Sequence, residues 1–180
     1  MCDDGNKEIS LQGVTYTMRF EKISKEAAIK FCEKNGYPVN SIDFENLPLP
    51  KRSTAKSGGY DFFLPFDCFI NGHGHLLIPT FIKAQLDNDK VLEMYPRSSY
   101  GIKKGLALAN TVGIIDADYY NNSDNEGHIM ICLRNMTDIG VELKQGDKFC
   151  QGIIKQFFLV DGDEYGVGEE RTGGIGSSGN

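Results

Sequence analysis

The chain has 180 residues, 40% hydrophobic and 24% charged, the size and composition of one globular domain, so whole-chain disorder is excluded. That length buries about 70% of the unfolded surface, enough to hold a core without disulfides or a structural metal, and no apolar run approaches the ~20 residues of a membrane-spanning helix. The net charge of −6 argues against sequence-independent nucleic-acid binding, which needs a basic face to displace counterions.

The acidic, polar start MCDDGNKEIS lacks the basic-then-apolar order of a secretory leader. Val14 to Glu21 alternates strictly, with Val14, Tyr16, Met18 and Phe20 on one side, and predicts a half-buried strand. A helix is predicted next: Ser24 can cap it, Gly36 can end it, and Ile23, Ala27, Ala28, Phe31 and Cys32 recur at helical spacing. Pro38, Pro48 and Pro50 make 37–52 an extended connector.

From Tyr60 to Val160, short apolar runs alternate with Gly, Pro, Asn and Asp: YDFFL, HLLIPTFIKAQL, KVLEMY, GLALAN, HIMICLRN, GVELK and KFCQGIIKQFFLV. The pattern predicts an all-β sandwich or jelly roll with one short N-terminal helix. Ile129–Leu133 is apolar throughout, so it is expected to be covered on both faces, either inside the fold or at a subunit interface. Residues 109–129 read as a long hairpin around Asn121–Asn125. The division expected is an N-terminal extension over 1–49, a β domain over 50–165 and a flexible Gly-rich tail over 166–180.

Five segments carry candidate chemistry. In KSGGYDFF, Asp61 opens an apolar strand, where a carboxylate needs a cationic or metal partner. In YPRSSYGIKKG, Arg97 with Ser98 and Ser99 packs a bidentate cation and two hydroxyls into one turn, a phosphate cradle or a solvated loop. In 109–129, Gly113 allows close backbone approach, while Asp116 and Asp118 would share a strand face, as metal ligands, a base or ordinary loop acids. Gln151 lies inside an apolar strand and must serve the fold or face a ligand. The glycines of RTGGIGSSGN free backbone N–H groups to surround phosphates, but no Walker A lysine follows.

His73 and His75 lack a third metal ligand, and Cys150 has no basic partner to activate it. The five cysteines (Cys2, Cys32, Cys68, Cys132, Cys150) are an odd number without a C-x-x-C pair, which fits a reducing cytosol.

In this order and spacing, SGGYD, PRSSYG, NTVGIIDADY, GDKFCQG and RTGGIGSSG resemble the five motifs of the trimeric dUTPase family, over roughly residues 50–180. The resemblance implies a jelly-roll (β-clip) subunit, a homotrimer with shared active sites, and Mg²⁺-assisted hydrolysis of dUTP to dUMP and pyrophosphate in the cytoplasm. Such a reaction keeps uracil out of DNA and supplies dUMP for thymidylate synthesis. No nucleic-acid or membrane partner is implied.

On this resemblance uracil would meet the backbone around Gly113–Ile115, with Asn110 and Met130 beside it. Tyr119 would pack on the deoxyribose, and Asp116 would activate the attacking water. Arg97, Ser98, Ser99 and Gln151 would hold the inner phosphates. Arg171, Gly176, Ser177 and Ser178 of a neighbour's tail would hold the outer one, and Asp61 would stand near Mg²⁺.

Three features depart from that family. Ile175 replaces a phenylalanine that stacks on uracil, Asn121–Asn125 lengthen the turn before Gly127, and the N-terminal extension is long. A dCTP deaminase of the same fold would need a glutamate where Cys132 stands, three residues before Asn135. An inactive nucleotide-binding regulator has only Ile175 in its favour, and a purely structural jelly roll leaves the tail unexplained.

Overall fold

The computed structural model describes residues 10–11, 14–15, 18–168, 171 and 173. Two strands, β1 (Ser10–Leu11) and β2 (Val14–Thr15), pair with each other. The next, β3 (Arg19–Lys22), pairs instead with β8 (Ile82–Gln85). The alternation predicted one strand from 14 to 21; the different partners of β2 and β3 divide it, with Met18 outside either strand.

The helix α1 (Lys25–Asn35) forms where its cap signals lie. The Ser24 hydroxyl oxygen accepts from the Ala27 N–H, and Gly36 ends the helix in the left-handed region at φ 71°. The predicted connector contains a 3-10 turn at Val39–Ser41 and then β4 (Lys51–Arg52). Ile23, Ala28, Cys32 and Leu47 form a small core of their own, joined to the body through Phe81.

The body is a sandwich of antiparallel strands. A five-stranded sheet has the order β11 (Gly113–Ile115), β9 (Lys90–Pro96), β14 (Lys148–Gln156), β5 (Tyr60–Phe63), β4. A three-stranded sheet has the order β10 (Leu106–Leu108), β12 (Met130–Asn135), β7 (His75–Pro79). The short pair β6 (Cys68–Ile70) and β13 (Val141–Leu143) extends the edifice. Phe62, Ile78, Leu92, Met94, Leu133 and Phe149 fill the space within it, each such buried side chain contributing about 1.5–3 kcal/mol.

Several sequence expectations change. HLLIPTFIKAQL is two strands, because buried Phe81, at φ 58°, turns the chain from the β12 sheet toward β3. The segment PRSSYG is not a plain turn but opens α2 (Ser98–Lys104), which Gly105 ends at φ 64°. Residues 109–129 are not a hairpin: β11 pairs with β9 and β12 pairs with β7 and β10, so the two halves join different sheets. Within one chain, Ile129–Leu133 is fully covered on one face only, which leaves the other face for a subunit interface. Ile129, Ile131 and Leu133 are buried, while Met130 and Cys132 are half-buried on the other side. The strand β6 was not foreseen, since three residues carry too little periodicity. No helix among the described residues is long and apolar enough to cross a membrane.

Candidate active site

A narrow slot opens at the β11 edge. Gly113 sits opposite Met94, and a Cβ at position 113 would approach the Met94 Cβ to 3.1 Å. Any side chain there would crowd the floor, as glycine at a close backbone approach implies. The slot is a cleft of about 480 Å³, whose lining includes Asn110, Gly113, Ile115, Tyr119, Met130 and Cys132.

At its end Asp116 leads into a 3-10 turn, Ala117–Tyr119. The turn throws Asp116 and Asp118 outward and Tyr119 inward. Their side chains are 54% and 57% exposed, whereas Tyr119 is buried. The two acids therefore do not alternate along a strand as expected, yet they share one partner. The Arg171 guanidinium donates to Asp116 Oδ2 at 3.1 Å, lies 3.5 Å from Asp118 Oδ1, and sits 5.0 Å over the Tyr119 ring. The Tyr119 hydroxyl donates to the His128 carbonyl at 2.9 Å and accepts from Asn125 Nδ2 at 2.8 Å. Burial raises the pKa of this phenol.

A second cluster lies across the same sheet. Asp61, with a side chain only 6% exposed, is 3.4 Å from Arg97 Nη1 and 3.2 Å from Lys148 Nζ, and it accepts from the Ser53 hydroxyl. Gln151 is its register partner on β14. A Cβ on Gly59 would fall 2.5 Å from Gln151 Oε1, so the glycine leaves room for the amide. Ser98 and Ser99 begin α2 directly after Arg97; the first N–H groups of a helix have no partner within it.

Lys148 and Ser53 were not foreseen. A β-bulge between Lys148 and Cys150 offsets the period-two count that would have set Lys148 and Gln151 on opposite faces. Burial pushes the Cys150 thiol well up, which removes it as a nucleophile. The His73 ring pairs with Asp138 at 2.8 Å. Among the described residues no group of three His, Cys, Asp or Glu side chains could hold a metal.

One chain thus gathers Asn110, Gly113, Ile115, Asp116, Tyr119, Met130 and Arg171 at one place, and Asp61, Arg97, Ser98, Ser99 and Gln151 at another. β9 and β14 separate β11 from β5, a span of roughly 14 Å at the ordinary strand spacing. Arg171 reaches its own chain's Asp116, where the family resemblance implied a tail crossing to a neighbour. The stretch before it folds back, with the Tyr165 hydroxyl donating to the Phe157 carbonyl at 2.7 Å. Ile175, Gly176, Ser177 and Ser178 lie outside the described residues.

Fold and site together define a jelly-roll protein with an acid-ended slot and a separate cationic cluster, a combination suited to a nucleoside polyphosphate. The family model for dUTPase matches residues 45–179. A deoxyuridine 5'-triphosphate nucleotidohydrolase of Lactococcus lactis is 49% identical over 133 residues, 74% of this chain and 89% of that protein. One from Finegoldia magna is 33% identical over 146 residues, 78% of this chain and 98% of that protein. The crystal structure of dUTPase from Streptococcus mutans superposes with a TM-score of 0.65 at 42% identity, covering 79% of this chain and 98% of that one. The chain belongs to the dUTPase family, and its enzyme class is dUTP diphosphatase.

Proposed function

We propose that the chain hydrolyses dUTP to dUMP and pyrophosphate at active sites shared between the subunits of a homotrimer. The observation that carries this reading is the separation of the slot from the Asp61–Arg97 cluster. A triphosphate bound in the slot of one copy meets the cationic cluster of another, and closed rotational symmetry repeats that junction at each interface. Phe158 and Val160, exposed beyond the end of β14, supply apolar surface for such association.

In the slot, uracil pairs with the backbone of β11, which distinguishes it from cytosine through swapped donors and acceptors. Asn110 and Met130 flank the base. Tyr119 lies flat against the sugar and leaves no space for a 2'-hydroxyl. Asp116 is exposed enough to hold water; it orients one molecule and takes its proton during attack on the α-phosphorus. Arg97, Ser98, Ser99 and Gln151 hold the inner phosphates, and Arg171 with Gly176, Ser177 and Ser178 holds the outer end while Ile175 covers the base. Fixed charge and positioning of this kind supply most of the barrier reduction in phosphoryl transfer.

The donor chemistry suits Mg²⁺, which binds through one or two carboxylates together with substrate phosphates and retained waters. On the family resemblance Asp61 would stand near the ion's waters, although in this structure its two oxygens already face Arg97 and Lys148. When bound, the ion supplies charge neutralisation of the triphosphate. Cys32, Cys68, Cys132 and Cys150 are free, in keeping with a reducing, cytoplasmic compartment. Deamination finds no support: Cys132 lines the slot where a carboxylate would be needed, and burial raises its thiol pKa.

The test mixes the protein with dUTP, dCTP, dTTP and UTP in the presence of Mg²⁺ and follows pyrophosphate and ammonia. Pyrophosphate from dUTP alone is expected. Ammonia from dCTP, or a monomeric mass by light scattering, contradicts the proposal.

A further inference from the structure

The family match begins at residue 45, yet residues before it are built into the rim of the slot. Glu126, itself in the left-handed region at φ 60°, turns its carboxylate onto the start of α1. Its Oε2 accepts from the Ser24 N–H at 2.8 Å and its Oε1 accepts from the Ser24 hydroxyl at 2.6 Å. The Ser24 oxygen also caps the helix, so one side chain joins helix and loop. The Tyr120 hydroxyl donates to Glu21 at 2.6 Å, and Phe31 sets its ring edge against His128, 4.9 Å between centroids.

These contacts fall within residues 120–128, the same loop that holds Tyr119. Asn122 Nδ2 donates to the Tyr119 carbonyl at 2.8 Å, and Asn125 and His128 hold its hydroxyl. The Glu126 N–H donates to the Asn122 carbonyl at 3.0 Å. Gly127, at φ 81°, closes the loop so tightly that a Cβ would stand 2.6 Å from the Tyr119 carbonyl oxygen. The path from α1 through Glu126 and Asn122 to Tyr119 is continuous.

We propose that the N-terminal segment buttresses the nucleoside slot: Glu126, gripped by Ser24, is a positioning residue that fixes Tyr119 and so sets the preference for deoxyribonucleotides over ribonucleotides. This rests on the assignment of Tyr119 to the sugar made above. The segment is more than a stabilising cover, because its charged hydrogen bonds converge on the loop that carries the selecting ring.

The experiment measures kcat and KM for dUTP and UTP in Glu126→Ala, Glu126→Gln, Ser24→Ala and the Ser24→Ala/Glu126→Ala double variant. Glu126→Ala is expected to raise KM for dUTP about fivefold, leave kcat within about twofold and lower the dUTP-over-UTP preference about tenfold, in proportion to the loss of charge-assisted hydrogen bonds. Glu126→Gln restores part of the preference, since its amide oxygen still accepts from Ser24. The double variant adds little to Glu126→Ala. Should Glu126→Ala fail to fold, Tyr120→Phe, which removes only the bond to Glu21, reports the same preference with a smaller shift. Lower melting temperatures with KM and preference unchanged in the variants overturn the buttress. A wild type that accepts dUTP and UTP equally overturns the Tyr119 assignment itself, and the buttress with it.

Discussion

Asp61 and Asp116 are both carboxylates facing an arginine, but their surroundings are opposite. Asp61, on the interior strand β5, is buried between Arg97 and Lys148; Asp116 stands more than half exposed at a sheet edge, with Arg171 as its one charged partner among the described residues. A buried, doubly paired carboxylate holds other groups in place, and its removal strands two cations. An exposed carboxylate on a turn is available to water and can be replaced with little effect on the fold. The contrast suits Asp61 to organising charge and Asp116 to the base role proposed for it.

The largest expected effect breaks the comparison at its open end. Asp116→Asn should lower kcat by at least about a thousandfold, while its melting temperature stays within about 2 °C of wild type, as for exposed substitutions. Isothermal titration with a non-hydrolysable dUTP analogue should still show binding. Normal turnover would remove Asp116 from the role of base. Mixing Asp116→Asn with Arg97→Ala subunits sharpens the point: random assembly of a symmetric ring should restore about a quarter of the wild-type rate, whereas sites built within one chain should restore none.

At the closed end, Asp61→Ala should destabilise by about 3 kcal/mol, because Arg97 and Lys148 lose their common partner. Urea unfolding checks this. A change below about 0.5 kcal/mol, the range of surface substitutions, would mean that Arg97 and Lys148 do not depend on Asp61 as their common partner.

A pH-dependent effect, spread over several units, comes from His128. Burial pushes its pKa down to about 3, below the ordinary 6.5. The unfolded chain binds the proton first, so stability is complete above about pH 6.5 and falls by roughly 1.4 kcal/mol per unit as pH drops toward 3. The neutral ring accepts from the Phe81 N–H at 3.0 Å, and His128→Gln keeps an acceptor without the titration. Its acid-unfolding curve should be shallower than wild type; an unchanged slope excludes His128 as the source.

The residues proposed to carry chemistry stand out in the sequence because the motifs are contiguous: Gly113, Asp116 and Tyr119 lie within one short run, as do Arg97 and Ser98. Sheet membership was not, since alternation reports which face a residue takes and not which strand it pairs with. Residues 109–129 therefore read as a hairpin although β11 and β12 belong to different sheets. Lys148 escaped notice because the bulge shifts the count by one. His128 looked like part of a strand, and only the packing of Phe31 and Phe81 around it exposes its function as a buried acceptor.

The docking of α1 onto residues far along the chain also governs how the molecule is made. An eleven-residue helix is too short to persist unaided in water. It leaves the ribosome before Phe81 or Glu126 has been synthesised, with Ile23, Ala28 and Cys32 still uncovered. The helix therefore acquires its shape late, once the loop that receives it has emerged, and until then its apolar face stays exposed.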